Sequence, residues 1–130
     1  MRTIARFFSG PVMFAAGLNH FLNPSFYEKI IPEGLPAPTA LVYISGVAEM
    51  VGALATMHPR TRRAGGWILL GTLVSVFPAN VWMALNAELF PSIPQCALLA
   101  RLPLQLLFLY LVWIGTLRSH DAASSRKTFA

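Results

Sequence analysis

The chain has 130 residues, the size of one domain, and 55% of them are hydrophobic while only 12% are charged, against about a quarter charged in an ordinary globular domain. So few charges cannot cover a water-facing surface, which excludes a disordered chain and a nucleic-acid module built on a basic face. It also argues against a soluble enzyme and leaves a small integral membrane protein. The net charge of +5 agrees with this, because the basic residues are grouped beside apolar stretches: Arg2 and Arg6, then Arg60, Arg62 and Arg63, then Arg118, Arg126 and Lys127. Cys96 is the sole cysteine, so an intramolecular disulfide and a CxxC redox pair are both excluded.

In chain order, the first apolar segment covers 4–21, IARFFSGPVMFAAGLNHF. It follows a basic start, as a secretory signal would, but no convincing cleavage site follows Ala15-Ala16-Gly17, and it reads as a retained helix. Asn23-Pro24 then opens a short helix through SFYEKII, stopped by Pro32. Its Phe26, Tyr27, Ile30 and Ile31 are expected at the outer membrane interface, with Glu28 and Lys29 toward water. The second span is Pro38–Met57, with Glu49 its only charge; HPRTRR turns the chain into an uncharged third span at 64–87. Ser92-Ile93-Pro94 marks the entry to a fourth span at 95–117, whose only charge is Arg101. Helices of about 20 residues are long enough to cross the hydrocarbon core.

Eight of the ten Lys and Arg residues fall at the N-terminus, in the turn at 58–63 and in the C-terminal tail. Four spans with both termini and that turn in the cytoplasm satisfy the positive-inside bias without exception. The expected architecture is therefore all-α: a transmembrane four-helix bundle over 1–118 and a disordered cytoplasmic tail over 119–130. Pro78 and Pro103 should kink the third and fourth spans, either as packing kinks or by opening a polar cavity. Gly46, Gly52, Gly65, Gly66 and Gly71 permit close helix contact.

This orientation places the polar residues of the spans in the outer half or middle of the membrane: Glu49, Asn80, Arg101, Gln105, and His20 with Asn19 at the end of span one. Turned inward, they form a polar cluster opening outward. Glu49 and Arg101 are the charged pair within the spans, and each alone would cost about 2.5–3.5 kcal/mol near the centre of a bilayer. They are expected to pair, either as a salt bridge locking helices or as a headgroup or proton site, with Ser45 one turn from Glu49 as a hydrogen-bond donor; the alternative is a snorkelling Arg101 with a solvated Glu49. His20 reads as a proton-exchanging group or as an interface histidine. A metal site is not expected, because His58 and His120 belong to the opposite side. Tyr43, Trp82, Tyr110 and Trp113 read either as lining for a planar ligand or as packing and interface anchors.

Four segments carry a resemblance: AGLNHFLNPSFYEKIIPEGLP at 16–36, SGVAEMVGALATMHPRTRRAGGWIL at 45–69, VFPANVWMAL at 76–85 and RLPLQLLFLY at 101–110. In their order and spacing the chain resembles DoxX-like membrane proteins, small four-helix bundles of the bacterial inner membrane. The resemblance implies signature positions at Asn19, His20, Pro24, Glu49, Pro78, Asn80, Arg101, Pro103 and Gln105. It also implies a link to thiosulfate:quinone oxidoreduction or to complexes handling thiol and oxidative stress. With one cysteine and no dinucleotide fingerprint, the chain would take part as a quinone-facing or anchoring subunit beside a redox partner.

Three functions are thus in view. The first is an accessory subunit of a membrane complex, in contact with lipid and a membrane or peripheral redox partner. The second is a quinone-binding subunit of a membrane oxidoreductase, using His20, Glu49, Asn80 and Arg101. The third is small-solute transport, which a single set of four helices would support only as a homo-oligomer.

Overall fold

A computed structural model describes residues 1–118, which form helices and no strand; the tail expected at 119–130 lies outside the described residues. The first rod runs as α1 (Arg2–Phe7), a π turn (Phe8–Val12) and α2 (Met13–Leu22), without leaving helical backbone angles at the junctions. Pro11 explains the wide turn: it has no N–H for the Phe7 carbonyl and its ring crowds the turn before it. The winding loosens there, and the Met13 N–H reaches back to Phe8. Helix α3 (Pro24–Ile30) starts on Pro24, α4 is Pro38–Met57, and α5 is Arg62–Leu85. Helix α6 (Gln95–Val112) continues into a second π turn, Trp113–Arg118. Pro78 and Pro103 sit inside α5 and α6 without ending either helix.

Among the described residues three helices are long and apolar enough to cross a membrane: Pro38–Met57, Arg62–Leu85 and Gln95–Arg118. Their outward faces are apolar; on α4, Ile44, Val47, Val51 and Leu54 are each at least half exposed. The π turn divides the first rod, so its α-helical parts are each shorter than a membrane crossing requires.

Neighbours in the fold are α2 with α4, α4 with α5, α5 with α6, and the Trp113–Arg118 turn with α1 and α5. Small residues set the closest approaches. A Cβ on Gly65 would stand 2.7 Å from the Thr56 nitrogen, and one on Gly66 would run into Thr116. Gly71, expected to do the same, does not: a Cβ there meets nothing within 4 Å. Between α4 and α5 the turn is tied by Thr61, which donates to the Ala55 carbonyl at 2.8 Å, and by Arg62 Nε, which donates to the Thr56 carbonyl at 3.0 Å. Both satisfy carbonyls that the end of α4 leaves without helical partners.

Two apolar clusters fill the interior. Met13, Ala53, Leu69, Leu73 and Val112 form one; Ile30, Met83, Phe90 and Leu98 form the other, with Phe26 and Tyr27 against it. The second cluster corrects an expectation. Helix α3 does not lay Phe26, Tyr27 and Ile30 on an outer interface but folds them in against α5 and the start of α6. Ile30 is 5% exposed. The sharp turn at Asn23, whose φ of −131° and ψ of 56° leave helical geometry, reverses the chain direction and turns the apolar face of α3 inward.

Candidate functional site

Glu49 belongs to the inward stripe of α4, with Val42, Gly46, Ala53 and Thr56, spaced so that all face the interior. Helix α2 reaches that stripe almost backbone to backbone: a Cβ on Gly17 would lie 2.9 Å from the Gly46 carbonyl oxygen, and one on Gly46 would lie 3.0 Å from that of Gly17. This proximity carries His20 onto α4. Its Nε2 is 3.4 Å from Glu49 Oε2, and its Nδ1 is 3.2 Å from the Val42 carbonyl and 3.1 Å from Ser45 Oγ. The Val42 carbonyl can only accept, so Nδ1 carries a hydrogen, while Ser45 donates to the same carbonyl at 2.9 Å. With Nδ1 donating, Nε2 is the ring nitrogen that faces the Glu49 carboxyl, and a proton on either group would bridge the 3.4 Å between them.

Tyr27 completes this wall and was missed by the sequence reading, which sent it to the lipid interface. Its ring stacks on His20 with centroids 4.1 Å apart. Asn19 does not reach the pair; its Nδ2 donates to Tyr27 Oη at 2.7 Å and its Oδ1 accepts from Asn23 at 2.7 Å. Asn19 therefore acts on His20 through Tyr27. The signal in the sequence was the Asn23-Pro24 break, which brings residue 27 back over residue 20.

The expected Glu49–Arg101 salt bridge is absent. Helix α4 packs on α2 and α5, and α6 on α5, so the helix beside Glu49 supplies His20 and the helix beside Arg101 supplies Asn80. Arg101 Nε donates to Asn80 Oδ1 at 3.3 Å. Asn80 Nδ2 donates to Gln105 Oε1, and Gln105 Nε2 donates to the Leu73 carbonyl. That carbonyl is next to the one on Val74 that Pro78 leaves without a helical donor. Gln105 is buried, 3% exposed, and joins α6 to α5 at both ends of its amide. Interhelical hydrogen bonds in membranes couple by about 0.6 kcal/mol on average and about 1.7 at most. A double-mutant cycle over Asn80→Leu and Gln105→Leu, read by unfolding in mixed micelles, is expected to return a coupling in that range.

His20, Ser45, Glu49, Asn80, Arg101 and Gln105 all line one cavity of about 1080 Å³. Two polar walls face it: His20, Ser45 and Glu49 from α2 and α4, and Asn80, Arg101 and Gln105 from α5 and α6. Most of the remaining lining is apolar, from Met13 and Phe108 to Ile31, Pro32 and Leu35 over one end. Such a space, near the upper limit of about 1,000 Å³ usual for small-molecule sites and with few converging polar groups, suits an organic ligand. The aromatic residues considered for a planar site do not line it. Tyr43 stacks on Phe21, Tyr110 leans on Trp113, and Trp82 faces a smaller recess beside Glu28 and Lys29. Among the described residues no three His, Cys, Asp or Glu side chains gather where a metal ion would sit.

Over the described residues, fold and site together define an all-helical domain with three helices of membrane-crossing length around a mostly apolar cavity with two polar groups in its lining. Residues 10–116 match the family model described as domain of unknown function (DUF8561), and the chain belongs to that family. No curated protein and no solved structure matches the chain.

Proposed function

We propose that the chain is a multi-pass inner-membrane protein that binds a quinone-type ligand in its cavity and serves as an accessory subunit beside a redox partner. In this reading the first rod and the three long helices form a transmembrane four-helix bundle, with both termini and the 58–63 turn cytoplasmic. The distribution of basic residues supports the orientation. The resemblance of four segments to DoxX-like proteins supports the ligand class.

The observation that carries the reading is that two separate polar groups, His20 with Ser45 and Glu49, and Asn80 with Arg101 and Gln105, line one mostly apolar cavity. A quinone is a flat apolar ring with an oxygen at each end. Arg101 and Asn80 offer hydrogens to a carbonyl oxygen on one side. On the other, the His20–Glu49 pair can give a proton to an oxygen when protonated, or take one from a hydroxyl when not. The chain's own groups bind, orient and supply protons; electrons would come from the partner.

Titration of the purified protein in lipid nanodiscs with a decyl-chain benzoquinone, followed by tryptophan fluorescence, tests this. Arg101→Leu removes a charge-assisted bond and is expected to weaken binding by about tenfold. No binding to the wild-type protein, or equal binding by the variant, would overturn the quinone assignment. The orientation is checked separately by Arg60→Cys in a Cys96→Ser background, which should react with an impermeant thiol reagent only from the cytoplasmic side.

A further inference from the structure

Helices α4 and α5 touch at one level and part at another. At Gly65 a Cβ would stand 2.7 Å from the Thr56 nitrogen on α4, while at Gly71 a Cβ meets nothing within 4 Å. The two glycines are about 9 Å apart along α5, from six residues at 1.5 Å each. Contact continues to Gly52, where a Cβ would lie 3.0 Å from Leu69 and 3.1 Å from Ile68. Past that level the cavity reaches a slot in the seam between the helices, with Leu41, Ile44 and Ala48 lining one edge and Ile68, Gly71, Thr72 and Ser75 the other. Ile44 is 64% exposed and Ile68 38% exposed on the outer surface, yet both also line the cavity.

We infer that this slot is a lateral doorway from the lipid, and that the ligand is an amphiphile whose long apolar chain lies between α4 and α5 while its head meets the polar walls. The inference rests on the proposed binding function and adds how the ligand enters and what its tail must be. Two features favour entry from lipid over entry from water. The rim of the slot is apolar apart from Thr72 and Ser75, whose hydroxyls donate back to the Ile68 and Gly71 carbonyls of their own helix, on helices whose outward faces are apolar. By contrast, the end of the cavity beneath α3 is covered by Tyr27, Ile30, Ile31, Pro32 and Leu35. A chain of methylenes gains about 0.8 kcal/mol for each one removed from water, so nothing draws a lipid-dissolved ligand through the aqueous side. Exposed Leu104 on α6 and Val12 in the first π turn also line the cavity; this second gap provides the control.

The test uses the full chain in nanodiscs with Cys96→Ser and a cysteine placed inside the cavity by Ala16→Cys. Alkylation by a hexadecyl maleimide is expected to slow by about tenfold when Gly71→Phe fills the slot, and to stay within about twofold with Leu104→Phe. A small charged thiol reagent should be unaffected by Gly71→Phe. Unchanged alkylation in Gly71→Phe, or a block by Leu104→Phe instead, would overturn the doorway. In the Cys96→Ser background alone, Gly71→Phe should weaken a decyl-chain benzoquinone by about tenfold and a chain-less one by less than about twofold; equal loss of both would overturn the tail assignment. If the wild type binds neither quinone while Gly71→Phe still blocks the maleimide, the doorway stands and the quinone reading falls.

Discussion

Gly65→Val is expected to cost about 3 kcal/mol, the upper end of the penalty for overfilling a packed interior, and to remove most of the monodisperse protein recovered in mild detergent. The reason lies in what the new side chain would meet. A Cβ at this position stands 2.7 Å from the Thr56 nitrogen and 2.8 Å from the Ala55 Cβ. The first is backbone in the middle of a helical turn, so relief requires α4 and α5 to separate as rods. That separation would open the contacts of Gly52 with Leu69 and loosen the Met13, Ala53, Leu69, Leu73 and Val112 cluster. The same change at Gly71 is expected to move stability by less than about 0.5 kcal/mol, because it faces open space. Unfolding of the two variants in increasing SDS fractions checks both values, and similar losses at 65 and 71 would contradict the helix geometry described above.

Removing His20 is expected to hurt more than neutralising Glu49, although the two side chains form one pair. His20→Ala leaves the Glu49 carboxyl, 7% exposed, without the partner that meets it. Breaking a buried pair in this way costs about 3–5 kcal/mol. Glu49→Gln instead leaves His20 its contacts with Val42 and Ser45 and its stack on Tyr27. That loss should be about 1 kcal/mol, the scale of one hydrogen bond. The double variant His20→Ala/Glu49→Gln is expected to be more stable than His20→Ala alone, since no unpaired carboxyl remains. Thermal unfolding of the four proteins in one detergent measures the cycle. A double variant no better than His20→Ala would mean that Glu49 is satisfied by water rather than by the imidazole.

That three helices are long and apolar enough to cross a membrane was legible from composition, because runs such as WILLGTLVSVF admit few alternatives. The inward set of polar residues was legible for the same reason: a hydrophilic side chain inside an apolar span must turn toward its neighbours. Their pairing was not. Depth along a helix axis can be counted from sequence, and it brought Glu49 and Arg101 within reach of each other. Which helices are neighbours cannot be counted, and α5 is the neighbour the two helices share. Tyr27 escaped for a related reason. A seven-residue amphipathic helix has the same pattern whether its apolar side meets lipid or a protein interior, and only the fold-back at Asn23 decides between them. Gly71 shows the converse error, since a small residue permits contact without requiring it.

The loosened turn at Phe8–Val12 has a consequence for the two ends of the first rod. Each residue of an α-helix advances the side-chain direction by about 100°, and a turn holding one extra residue shifts everything beyond it by about that angle. Ala5 on one side of it meets Gly115, while Gly17 and His20 on the other meet α4. An unbroken α-helix could not aim both sets correctly, so Pro11 works as a phase shifter, and the heading of the imidazole is dialled in nine residues upstream of it.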